Sequence, residues 1–220
     1  MSKIFLIVVL ASFAAAPTGA VTYCNTVDVN LVRKCYQNYM DSFYITMNET
    51  LPAYSYYANV RSNLIKSKGL YEQNLVCQYV LTLLNCLDPS FECIGQYTFL
   101  AIGASNNTDA VDYWADLLTN QYQCTVGKPL KTSNFYCYES CRDSRKDDIK
   151  TCHANLGKNI AKGMDVCTAL EENALCQTDI QNQCCGRNAG VLACNSEVSA
   201  VRASNNVCSA MGKMFCPEPQ

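Results

Sequence analysis

The 220-residue chain has one histidine, His153, one tryptophan, Trp114, and among its sixteen cysteines no pair spaced as C-x-x-C. Each shortage removes a class of chemistry. Zinc sites built on Cys and His use short ligand spacings and usually more than one imidazole, and thioredoxin-like exchange needs its C-x-x-C. The sequence therefore offers no metal-ligand set and no cofactor motif. Charge is also scarce, at 16% of residues, and the net charge of −2 provides no basic surface for nucleic acid or anionic membrane.

Long apolar runs are missing after residue 16. The one such run, Ile4 to Ala16, follows Lys3 and leads into Pro17-Thr18-Gly19-Ala20. That order reads as a secretory signal peptide over residues 1–20, with cleavage after Ala20 and a mature chain starting at Val21. An uncleaved anchor needs an apolar span of about 18 to 20 residues, which this run does not reach. The tail, residues 214–220, is too short and polar for a lipid-anchor signal. The expected destination is extracellular, with no transmembrane segment.

What the chain has in abundance is cysteine, and all of it lies beyond Ala20: Cys24, Cys35, Cys77, Cys86, Cys93, Cys124, Cys137, Cys141, Cys152, Cys167, Cys176, Cys184, Cys185, Cys194, Cys208 and Cys216. Such density belongs to an oxidising compartment, and the even count allows every thiol to be bridged. Which cysteines pair cannot be deduced from sequence alone. Adjacent Cys184 and Cys185 must go to different partners.

The dominant hydrophobic period is helical. Val32, Cys35, Tyr39, Phe43 and Met47 recur at three or four residues, Leu75 to Leu87 form a broad apolar face, and an extra helix is expected over residues 51–68. Another helix should start at Asn107 or Thr108, bury Val111, Trp114, Leu117 and Leu118, and end before Gly127. Ile149, Cys152, Leu156 and Ile160 repeat at the same spacing, as do Val191, Cys194, Val198 and Val201. No alternating strand of useful length appears, so the expected fold is an all-α, disulfide-rich helical bundle.

The cysteine spacings echo one another. Ten residues separate Cys24 from Cys35, and ten separate Cys141 from Cys152; eight lie between Cys77 and Cys86, and eight between Cys167 and Cys176. Cys93 and Cys124 then correspond to Cys184 and Cys216. This suggests two duplicated units, residues 21–124 and 137–220, joined over residues 125–136, where Gly, Pro, Thr, Ser and Asn interrupt the apolar period. The insert 51–68 has no counterpart in the second unit.

The order of signal peptide, Cys24, Cys35 in an amphipathic helix and the Cys77, Cys86, Cys93 group resembles nematode-type secreted cysteine-rich domains of unknown function. It is also similar to chondroitin-proteoglycan-like helical domains. The resemblance covers Cys24 to Cys152 and rests on spacing. It implies a small extracellular helical module without catalytic residues.

Enzyme signatures are correspondingly thin. Cys152-His153-Ala154 lacks the Asp and the glycine-rich calcium loop of a secreted phospholipase, and His153 reads as a surface helical residue. Gly103-Ala104-Ser105-Asn106-Asn107 lacks the closing Gly of a nucleophile elbow. Asp109, Asp112 and Asp116 with Trp114 form the one local carboxylate cluster, read as a solvated helix start. The run Arg142 to Asp148 nearly cancels in charge and reads as an exposed turn.

Tyrosine, with 14 copies, is the remaining excess. Tyr54, Tyr56 and Tyr57 crowd the insert and are the expected binding surface for an extracellular protein or glycan. Asn48-Glu49-Thr50 and Asn106-Asn107-Thr108 are the two N-glycosylation sequons. Three functions fit this sequence: an extracellular binding or structural module without catalysis, a carrier holding a lipid or other apolar ligand between helices, and a divergent secreted hydrolase.

Overall fold

The computed structural model describes residues 23–204 together with Cys208 and Cys216, so the expected signal peptide lies outside the described residues. Among them are nine α-helices, one 3-10 turn and no strand. The chain is an all-α, disulfide-rich bundle.

Local sequence explains most helix limits. Asn25 caps α1 (Thr26–Asp41), its side chain accepting from the Val27 and Asp28 amides while the Asp28 carboxylate reaches back to the cap. The first helix stops at Asp41 rather than running on to Met47 as its period suggests. Its end is turned by Tyr44, the one non-glycine residue with positive φ among the described residues, at 58°, and the Ile45 amide bonds back to the Met40 carbonyl. Phe43, Ile45 and Met47 remain buried beyond the helix.

Gly69, with φ 64°, serves as the joint between α2 (Tyr54–Lys68) and α3 (Leu70–Leu87). A 3-10 turn over Asp88–Cys93 leads to the short α4 (Gln96–Ala101), and Asn106 caps α5 (Asn107–Cys124) by accepting from the Asp109 amide. Thr125 to Gly127 form a tight turn, and α6 (Lys128–Ser144) begins at once. Most of the expected join at 125–136 is thus helical: Pro129 stands in the first turn, where its missing N–H costs nothing. Then follow α7 (Lys146–Ala161), α8 (Val166–Cys185) and α9 (Arg187–Ser204).

All sixteen cysteines are bridged. Cys24–Cys93, Cys35–Cys86 and Cys77–Cys124 close the first unit; Cys137–Cys185, Cys141–Cys184, Cys152–Cys176, Cys167–Cys208 and Cys194–Cys216 close the second. No bridge joins one unit to the other. The pairing repeats where the spacing repeats: Cys24–Cys93 matches Cys141–Cys184, and Cys35–Cys86 matches Cys152–Cys176. Cys77 and Cys167 also correspond, but Cys167 pairs with Cys208 rather than with Cys216, which ties to Cys194 instead.

The two units are built differently inside. The first holds one continuous core in which the rings of Tyr36, Tyr57, Phe99 and Tyr113 meet edge to face or stacked. Among the described residues the second divides its buried apolar groups among three small clusters, and it carries five bridges against three. Cross-links there offset a smaller apolar core. The units meet mainly where α9 lies along α5, with Thr119 donating to the Ser196 carbonyl and Gln123 to its hydroxyl.

Candidate functional site

The three insert tyrosines do not form one surface. The helical period of α2 turns Tyr54 and Tyr57 inward, three residues apart, and Tyr56 outward. Tyr57 is 0% exposed, Tyr54 is half-buried and Tyr56 is 55% exposed. The expectation of a joint binding patch on Tyr54, Tyr56 and Tyr57 is corrected accordingly: two of the rings belong to the interior.

Those two rings surround a buried ion pair. Arg61 donates through Nη1 to Asp116 Oδ2 at 2.7 Å and through Nη2 to Oδ1. Asp116 also accepts from Tyr54 Oη, from Tyr57 Oη and, at 2.8 Å, from Asn120 Nδ2, and Tyr39 Oη lies 2.8 Å from Tyr57 Oη. Burial raises the Tyr57 phenol well above its ordinary range. For Arg61, burial disfavours the charge, but the Asp116 carboxylate outweighs it and the pKa stands well above the ordinary value. Asp116 is therefore not part of a solvated helix start. Its acceptor positions are filled by these partners.

Asp112, four residues earlier, is half-buried, and burial together with Asp109 and Asp116 pushes its carboxyl up to about 7. His153 is half-buried on α7, and burial lowers its pKa. Among the described residues no group of three or more His, Cys, Asp or Glu side chains is placed to hold a metal ion.

The sequon asparagines Asn48 and Asn106 are both exposed. Their loops are neighbours: Arg33 donates through Nη1 to the Glu49 carbonyl and to the Ile102 carbonyl, and through Nη2 to the Ala101 carbonyl at 2.7 Å.

A cavity of about 400 Å³ opens between α7 and α8. Leu156, Ala169 and the Cys152–Cys176 bridge supply its apolar wall, and Asn155, Asn159, Glu172 and Asn173 its polar one. Asn155 and Glu172 are exposed at the mouth, and Asn159 Nδ2 donates to Glu172 Oε2 at 2.9 Å. Asn173 is 6% exposed, and its Oδ1 is buried without a hydrogen-bond partner. An orphaned buried acceptor costs about 1–3 kcal/mol and needs a reason.

Periodicity did not single out these residues, because Asn and Glu on a helix read as solvent-facing. Placing the two units in register by their cysteines would have found them, since a leucine in one unit stands opposite Asn173 in the other. No family model, curated protein or solved structure matches the chain.

Proposed function

We propose that this chain is a secreted, disulfide-locked binding protein that works without catalysis, its first unit a closed scaffold and its second unit the ligand-bearing one. The observation that carries this reading is the complete pairing of sixteen cysteines in eight bridges, which suits an oxidising extracellular setting. No helix among the described residues is long and apolar enough to cross a membrane, which fits the same destination.

The contrast between the units supports the division of labour. Arg61 and Asp116 satisfy each other within the aromatic core of the first unit, whereas the second leaves an open, part-polar cavity. A lipid carrier is less well supported, because three carboxamides and a carboxylate face that cavity. A hydrolase reading loses Asp116 from its one local carboxylate cluster. The similarity of cysteine order to nematode-type secreted domains agrees with a module of this kind.

The test is expression of the full chain in eukaryotic secretory cells. The protein should appear in the medium, begin at Val21 and take up no alkylating label without prior reduction. Retention in the cell, or more than a trace of labelled cysteine, defeats the reading.

A further inference from the structure

The run Arg142-Asp143-Ser144-Arg145-Lys146-Asp147-Asp148 is exposed throughout except at Arg145, which is half-buried. It covers the joint between two helices: α6 stops at Ser144, α7 begins at Lys146, and Arg145, with φ −106° and ψ 23°, belongs to neither. Cys141 just before the run is buried in an apolar cluster and Ile149 just after it packs against the same one, but residues 142–148 carry no part of any described cluster.

The ion pairs of the run are mostly local, Arg142 with Glu139, Arg145 with Asp148 and Lys150 with Asp147. Among the described residues the one pair reaching the first unit is Asp143 with Lys66, and both of those side chains are exposed. Exposed pairs contribute little. Opening the joint therefore breaks backbone bonds at two helix ends, Arg145 N–H to the Cys141 carbonyl and Ile149 N–H to the Arg145 carbonyl among them, and gives up little apolar burial. Such segments open locally at low cost and are where proteases nick a folded chain.

The residues of the joint are as distinctive as its place. Arg142 and Arg145 form the one Arg-x-x-Arg of the chain, and Arg145-Lys146 is one of two adjacent basic pairs, the other being Arg33-Lys34. That second pair lies in the middle of α1, where Arg33 is half-buried and donates to the Glu49, Ala101 and Ile102 carbonyls. Reaching it would mean dismantling α1 beside the Cys35–Cys86 bridge.

We propose that the Arg145–Lys146 bond is a processing site for a secretory-pathway endoprotease that reads basic residues, which converts the protein into a disulfide-linked two-chain form. The inference rests on the reading of the chain as secreted, since only that route brings it to such an enzyme. Arg145 at the scissile bond and Arg142 three residues earlier each present a guanidinium fork to a carboxylate-lined pocket. Water adds across the peptide bond, leaving a carboxylate on Arg145 and an amino group on Lys146. Three bridges lie wholly before that bond, three wholly after it, and Cys137–Cys185 and Cys141–Cys184 span it. The cut therefore separates no fragment: α7 loses its peptide link to α6 and keeps its Cys152–Cys176 tie to α8.

The test is expression of the full chain in eukaryotic secretory cells together with an endoprotease specific for basic pairs. Without reductant the secreted protein should run as one species; after reduction it should separate into two, the second beginning at Lys146. Arg145→Gln should abolish that second N-terminus, and Arg142→Gln should lower its yield by about tenfold. Lys34→Gln should leave the pattern unchanged. The Arg142 and Arg145 side chains are 47% and 38% exposed, so neither variant endangers the fold, and alkylation without reduction checks that every bridge still forms.

A secreted chain that stays in one piece after reduction, a cut at another bond, or undiminished cleavage in Arg142→Gln overturns the proposal. A secreted, fully bridged and uncut chain defeats the processing site alone. A retained chain with free thiols defeats the extracellular reading and the site with it.

Discussion

Gly103 lies so close to Thr50 that a β-carbon on residue 103 would stand 2.6 Å from the Thr50 Cα. Its φ of 104° is also one that side-chain-bearing residues rarely adopt. Gly103→Ala meets both obstacles, and backbone atoms cannot move aside as a flexible side chain can. The variant should lose about 2 kcal/mol or more in denaturant unfolding monitored by circular dichroism. A change below about 0.5 kcal/mol contradicts this contact.

Asp116→Ala leaves the Arg61 guanidinium buried without its carboxylate and strips the Tyr54 and Tyr57 hydroxyls of an acceptor. The expected loss is about 3–5 kcal/mol. Replacing the pair together, Arg61→Met with Asp116→Leu, removes the stranded charge and should restore part of that loss. A double variant no more stable than Asp116→Ala would show that charge burial is not the cause.

Tyr44 sits in left-handed backbone just past the end of α1 and is 93% exposed as a residue, so the side chain gains little from packing in return for the conformation. Tyr44→Gly relieves the steric cost and should raise stability by about 1 kcal/mol. Equal or lower stability by the same unfolding measurement would show that the tyrosine makes a compensating contribution.

The fold was legible in the sequence to the extent that it depends on periodicity. Val32, Cys35 and Tyr39 mark α1, and the start expected at Asn107 or Thr108 falls in the first turn of α5, one or two residues past the side chain that caps it, Asn106; an amphipathic stripe and a polar helix start are local properties. Tyr44 shows the limit: the apolar period continues through Phe43 and Met47, yet the chain turns away there and buries those residues from a loop. α6 was obscured by Gly127 and Pro129, since the same two residue types can punctuate a loop or open a helix. Neither Arg61–Asp116 nor Asn173 could be read locally, since the first joins residues 55 apart in sequence and the second differs from its surroundings only when two units are compared.

Asp112 titrates near 7 in the folded chain, raised chiefly by burial and then by Asp109 and Asp116. A folded-state pKa above the unfolded value of about 3.9 means that the native state holds the proton more tightly. The associated stability is fully present below that value and is lost as pH rises through about 7. Asp112→Asn should therefore raise the melting temperature at pH 7.5 more than at pH 4, flattening the decline between them. An equal change at both pH values would assign the decline to other groups.

Thr50 and Thr108 are both exposed, and each completes one sequon without capping a helix. Secreted protein should carry two glycans removable by N-glycosidase, and Thr50→Ala and Thr108→Ala should each delete one while leaving the Asn106 cap intact. Loss of neither mass increment would exclude modification at the corresponding asparagine.

The separation of the bridges into two sets also shapes how the molecule can be made. Cys124 is the last cysteine of the first set and Cys137 the first of the second. As the chain emerges in order of synthesis, every partner needed by the six cysteines of the first unit is present before the first of the other ten appears. No bridge of the first set waits on a later residue, and the Thr125 to Gly127 turn marks the point at which one oxidation problem ends and the next begins.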